Sequence, residues 1–282
     1  KNFNIVELGP GDGSLTKVIL NIFKKFNEFN NSFNIFLYEK SKILKNLQKK
    51  NIKDSRVKWT RNFTNIKKGP VIFFGNEFFD AIPIKQFYRK NNLILEKYYF
   101  LGKDNKINTI FKKTSAKNIF KINKFKSFNK LKFIEFPKLG FDELKKITKK
   151  ISQLNGGILL IDYGYLKSRN KNTLQSLMNH KKNDLLSNLG NADITSLVNF
   201  KLLNEYFIKK NLKVKKIVTQ KFFLEKIGIL ERANIISKKM NFREQSSLYL
   251  RLKRLLDKSL MGELFKVIFA YKSKKSNFQG FK

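Results

Sequence analysis

Residues 3–26 read FNIVELGPGDGSLTKVILNIFKKF: a short apolar run, three glycines two residues apart, then apolar residues at helical spacing. Leu15, Val18, Ile19, Ile22, Phe23 and Phe26 mark that helix, so the stretch predicts a buried strand turning sharply into an amphipathic helix. Gly9 permits the tight turn, Gly11 lets a ligand approach the backbone, and Gly13 allows the helix to pack closely. The helix N-terminus favours an anionic group. Alone, the G-x-G-x-G spacing also fits a plain strand-to-helix turn.

Outward from this unit the rhythm repeats. "FNIFLYEKS" (33–41) reads as a second buried strand, "KILKNLQKK" (42–50) as a short helix, "RVKWTRN" (56–62) as a third strand and "GPVIFFGNEFFDAIP" (69–83) as a fourth. Such β-α alternation with nearly continuous apolar strands predicts a parallel sheet covered on both faces. The pattern breaks at 84–113, which alternates like antiparallel ribbon with turns at Asn91-Asn92 and Lys103-Asp104-Asn105. Residues 114–138 are weakly patterned and expected on the surface. The α/β rhythm resumes with a helix at 141–154 and a fifth strand, "GILLIDYGY" (157–165). A polar loop follows at 166–195, then a helix capped by Asp193, a sixth strand "KVKKIVTQ" (213–220), helices at 221–238 and 243–257, and a last strand in "GELFKVIFAYK" (262–272).

With 282 residues and 41% hydrophobic content the chain has ample material for a large core. No window approaches the roughly 18 apolar residues of a membrane span. The absence of cysteine excludes disulfides, thiolate zinc sites and cysteine nucleophiles, and a single histidine, His180, excludes a multi-histidine metal site. His180 reads as a loop residue. A reducing compartment is expected: bacterial cytoplasm, with the mitochondrial matrix as the alternative. The net charge of +39 invites a nucleic-acid reading, but only eight of the 60 basic residues are arginine, the residue suited to bidentate phosphate and base recognition. Lysine is spread along the chain with Asn, Ile and Phe, so AT-rich coding explains much of the excess. Acidic partners are still favoured, and nucleic acid is disfavoured without being excluded.

Ligands of open parallel sheets bind beyond the carboxyl ends of the strands. There the first strand carries Glu7 and the glycines, and the second ends in Glu39, placed to accept hydrogen bonds from both hydroxyls of a ribose. The fourth ends in Asn76-Glu77-Phe78-Phe79-Asp80 and the fifth in Asp162-Tyr163-Gly164-Tyr165. Trp59 is most simply packing, with a place beside an adenine ring as the alternative.

The segments "VELGPGDGSL", "LYEKS", "NEFFDAIPIKQF", "GGILLIDYGY", "TLQSLMNH", "GNADITSLVNF", "FLEKIGILERA" and "MGELFKV" occur in order from residue 6 to 267. In them the chain resembles the MidA family of S-adenosylmethionine-dependent methyltransferases, which includes a mitochondrial complex I assembly factor acting on protein arginine. The resemblance implies a Rossmann-like seven-stranded α/β sheet, mostly parallel with its last strand antiparallel. It implies one methyltransferase domain over 1–282, with a β-rich insertion at 88–138 and additional helices at 221–257. Relatives carry a helical region before the glycine motif, so the chain is expected to be a fragment without that N-terminal segment and to bind cofactor weakly. S-adenosyl-L-methionine is the implied cofactor and no metal is needed. Gly9, Gly11 and Gly13 would line its methionine end, Glu7 its amino group and Glu39 its ribose. Glu77, with Asp80 second, would grip a substrate guanidinium, and Asn76 would accept from the nitrogen or hold the cofactor's amino end. The implied partner is a protein substrate such as a respiratory complex subunit. Asp12 departs from a position often basic in relatives. Leu197 and Asn199 replace a more polar-acidic pair, so 193–199 carry no catalytic weight. An RNA methyltransferase, suggested by the charge and by the Asn76–Phe79 loop, and a non-catalytic assembly chaperone remain alternatives.

Overall fold

A computed structural model describes residues 2–29, 32–91, 93–104, 106–179 and 181–282. His180, Asn92 and Asn105 lie outside the described residues. The chain divides into two compact units: Lys1–Phe78 with Lys145–Tyr163 and Lys210–Lys282, and Phe79–Leu144 with Gly164–Lys209. The stretch expected as an insertion, 88–138, falls within the second.

The first unit is built on β1 (Phe3–Leu8), β2 (Phe33–Tyr38), β3 (Val57–Thr60), β4 (Val71–Asn76), β5 (Gly156–Tyr165), β6 (Lys213–Val214) and β7 (Phe265–Lys272). Their order across the sheet is β6-β7-β5-β4-β1-β2-β3. The pairs from β5 to β3 are parallel, while β7 runs antiparallel to both β5 and β6. The expected mostly parallel sheet with an antiparallel last strand is therefore present. Its strands are apolar on both faces because both are covered: Val6, Leu8, Ile35, Leu37, Val71 and Phe73 are inaccessible to water. Fully burying such side chains contributes about 1.5–3 kcal/mol each. Helix α1 (Ser14–Phe23) places Leu20, and the end of α2 (Lys42–Asn51) places Ile52, in one cluster with Ile5, Ile35 and Val57. The Ser41 hydroxyl caps α2 by accepting from Leu44 N at 3.3 Å. The helix expected at 221–238 is two, Gln220–Lys226 and Ile229–Ser237, separated at Gly228 with its positive φ of 89°.

The second unit contains an antiparallel sheet in the order Ile107–Lys113, Leu93–Leu101, Lys85–Lys90, Phe133–Phe136. Residues 114–138, expected on the surface, instead supply much of this unit's core. A helix (Ala116–Asn123), a 3-10 turn (Lys126–Phe128) and a strand bury Ile122, Phe125, Phe128, Leu131, Ile134 and Phe136. Three short elements with three different periods leave no sustained pattern in the sequence. The polar loop expected at 166–195 holds three short strands, Gln175–Met178, Lys181–Asn183 and Asp193–Thr195. Asp193 is thus a strand residue. The following helix spans Phe200–Lys209 and is capped by Asn199, whose Oδ1 accepts from Leu202 N at 3.0 Å. Three residues separate a cap from the amide it satisfies; Asp193 is too far upstream. Among the described residues no helix is long and apolar enough to cross a membrane, and no cluster of acidic or histidine side chains could hold a metal ion.

Candidate functional site

The glycine turn leaves β1 with three residues in the left-handed region, Gly9, Gly11 and Gly13, at φ of 64°, 55° and 84°. Gly9 N donates to Tyr38 O at 3.2 Å and Gly13 N to Pro10 O at 2.8 Å, which close the loop against β2 and on itself. The glycines differ in surroundings. A Cβ on Gly13 would stand 2.7 Å from Ile52 Cδ1, whereas a Cβ on Gly11 would meet nothing within 4 Å. Gly13 is a packing glycine, and Gly11 presents bare backbone beside open space. Asp12 folds back on the turn, its Oδ1 accepting from Ser14 N at 3.0 Å, which holds its carboxyl below the usual range.

At the end of β2, Glu39 Oε1 accepts from Ser41 N at 2.8 Å and Oε2 from Gln48 Nε2 at 3.2 Å. Gln48 also donates to Gly11 O at 2.7 Å and accepts from Trp59 Nε1 at 3.0 Å. Trp59 is accordingly a packing residue tied to this network. Sequence reading passed over Gln48 because it sits among lysines. The usable signal was its place at the centre of the Leu44–Gln48–Ile52 stripe, the face of α2 turned inward. The turn and this carboxylate fit a ribose-bearing cofactor: Gly11 has room where a side chain would stand, and each Glu39 oxygen accepting one of these bonds keeps a lone pair for a hydroxyl.

Glu7 is 4% exposed and its carboxylate accepts from the Thr16 hydroxyl. Burial pushes its pKa from 4.5 to about 7. An acid group raised on folding favours the folded state in its protonated form. Its contribution is therefore complete below pH 4.5 and fades as pH rises through about 7. A shift of this size corresponds to about 3 kcal/mol. Glu7→Gln, which imitates the protonated acid, is expected to raise the melting temperature of the ligand-free protein by roughly 5 °C or more at pH 8. At pH 5 it should leave it nearly unchanged. Thermal denaturation by circular dichroism at the two pH values checks this; an equal effect at both would show that Glu7 does not titrate between them.

At the end of β4, Asn76 and Glu77 are both exposed, and Asn76 Nδ2 lies 3.4 Å from Glu77 Oε1. Glu77 adopts a φ of 51°, a conformation that costs a residue with a side chain, and its N–H donates to Ile161 O at 2.9 Å. The strain is fixed by the sheet. Asp80 is 5% exposed and belongs to the second unit, where its carbonyl oxygen accepts from Ser196 N at 3.1 Å. The first unit thus carries Glu7, Gly9, Gly11, Gly13, Glu39, Asn76 and Glu77 at the carboxyl ends of three adjacent strands, and Asp80 is not among them. Asp162, three residues before the end of β5, is buried with Oδ1 accepting from Tyr163 N at 2.9 Å.

Residues 1–218 match the model of a family described as "Putative S-adenosyl-L-methionine-dependent methyltransferase". Among curated proteins, the chain is 30% identical over 82% of its length to the mitochondrial protein arginine methyltransferase NDUFAF7 homolog of Caenorhabditis elegans. It spans 59% of that protein. It is 25% identical over 94% of its length to protein arginine methyltransferase NDUFAF7 of Xenopus tropicalis, of which it spans 67%. Two crystal structures from Burkholderia thailandensis share the fold. One, of an uncharacterized protein, superposes with a TM-score of 0.83 at 18% identity over 99% of this chain and 76% of the other. The second, bound to S-adenosyl-homocysteine, superposes with a TM-score of 0.80 at 18% identity over 99% and 74%.

Proposed function

We propose that this chain, which belongs to the S-adenosyl-L-methionine-dependent methyltransferase family, transfers a methyl group to an arginine side chain of a protein. S-adenosyl-L-methionine is the family's cofactor. When bound it supplies an electrophilic methyl on a sulfonium, and the rest of the reaction is positioning. The Gly9–Gly13 turn and Glu7 bind its amino-acid end, and Glu39 binds the ribose. The observation that carries the arginine reading is Glu77, a carboxylate exposed at the rim and locked in a left-handed backbone by the Ile161 carbonyl. A guanidinium is a weak nucleophile while its charge is delocalised. Glu77, accepting two N–H bonds in fork geometry, orients it and draws the charge toward the bonded nitrogens, leaving the third richer in electrons. Asn76 beside it steadies the carboxylate. The nitrogen sheds one proton as it takes the methyl, and that proton passes to water at the exposed rim.

The names of the curated relatives support arginine of a protein as acceptor, and the family resemblance supports a respiratory complex subunit as the substrate class. Incubating the protein with tritiated-methyl S-adenosylmethionine and a cell lysate tests the reading. Label is expected in protein and should be recovered as methylarginine after acid hydrolysis. Label in RNA, or no label from a protein that binds cofactor, would overturn it.

A further inference from the structure

Gln48 has 0% exposure, unusual for a glutamine on a helix otherwise dense in lysine. A buried amide is tolerated only when its polar atoms are paired, and a leucine or methionine would fill the same space without that requirement. Its orientation is forced. The Trp59 indole N–H can only donate, so Gln48 Oε1 must face it, at 3.0 Å. The amide nitrogen then has its two hydrogens for two acceptors, Gly11 O at 2.7 Å and Glu39 Oε2 at 3.2 Å. No amide flip satisfies the same three partners. With Ser41 N holding the other oxygen at 2.8 Å, the Glu39 carboxylate is fixed at both ends.

We propose that Gln48 is a positioning residue for the cofactor. It ties the open glycine turn to the ribose carboxylate, so that both meet one ligand at a set separation. This rests on the cofactor reading of the turn given above. The two anchors come from different strands, and Gln48 is the side chain bonded to both. Trp59 in turn fixes Gln48, and as the single tryptophan of the chain it reports on the network by its fluorescence.

Calorimetric titration of S-adenosylhomocysteine into the protein and its variants tests this. Gln48→Met, of similar length and volume, is expected to weaken binding about tenfold or more. Glu39→Ala should do the same. If Gln48 acts largely through Glu39, the double variant will bind only about threefold more weakly than Glu39→Ala, far from the product of the two losses. Gln48→Glu keeps an acceptor for Trp59 but places a carboxylate against Glu39 and Gly11 O. It should bind still more weakly than Gln48→Met while preserving the Trp59 emission maximum, which Gln48→Met shifts. Unchanged affinity in Gln48→Met, or losses that multiply in the double variant, would assign Gln48 to packing alone and overturn the proposal. A wild-type protein that binds no S-adenosylhomocysteine at millimolar concentration would overturn the cofactor reading itself, and this inference with it.

Discussion

Glu77→Gln is expected to reduce methyl transfer to arginine about a hundredfold or more while changing S-adenosylhomocysteine affinity by less than about threefold. The substitution keeps the length of the side chain and the polar group at its end. It removes the charge and halves the acceptors, since one carboxylate oxygen becomes an amide N–H₂ facing a guanidinium N–H. The strained φ of 51° is shared by both residues, so the backbone at the end of β4 has no reason to relax. The Glu77 N–H bond to Ile161 O is likewise independent of the side chain. Stability should therefore be nearly unchanged, which separates this prediction from an unfolding effect. Steady-state kinetics separate binding from alignment. A rise in KM with constant kcat would assign Glu77 to ground-state binding of the guanidinium. A fall in kcat is expected, because orienting one nitrogen toward the methyl matters most in the transition state. Wild-type turnover in Glu77→Gln would remove this residue from the chemistry.

Most of the first unit was legible from residue type and spacing. β1, β2, β4 and β5 are continuous apolar runs flanked by turn residues, and burial on both faces is what such runs imply. The close packing at Gly13 followed from spacing too: a Cβ there would meet Ile52, whereas one on Gly11 would meet open space. What escaped depends on partners distant in sequence. Gln48 is a surface-type residue that becomes internal because Gly11, Glu39 and Trp59 converge on it from up to 37 residues away. Phe125, Phe128 and Phe136 are internal because they meet one another, and Phe125 and Phe136 meet Phe141, across loops that carry no period. The left-handed position at the end of β4 is held by Glu77, not by the neighbouring Gly75 or Asn76 that would have announced it. It exists because the sheet pairs Asn76 with Ile161 and the chain must then leave the rim abruptly. Legibility ends where side chains answer to tertiary partners.

Gly11→Val is expected to abolish measurable cofactor binding, a loss of about a hundredfold or more, in a protein that remains folded. The backbone at Gly11 has φ of 55°, and a side chain there costs about 1–2 kcal/mol from its clash with the following carbonyl. For a β-branched residue the figure lies at the upper end. No further penalty arises from packing, because nothing stands within 4 Å of the new Cβ. The melting temperature should thus fall by several degrees, with an unchanged circular dichroism spectrum. The space the valine methyls would occupy is the space a ligand needs in order to lie against the turn, so affinity should suffer far more than stability. Gly13→Val reverses the order. Its Cβ would stand 2.7 Å from Ile52 Cδ1, pushing α1 off the α2 end and losing stability first. Titrating S-adenosylhomocysteine into both variants below their melting temperatures reads the contrast. Near wild-type affinity in a folded Gly11→Val protein would mean that the ligand does not approach the backbone at Gly11. The open face of the turn would then need another explanation than the cofactor.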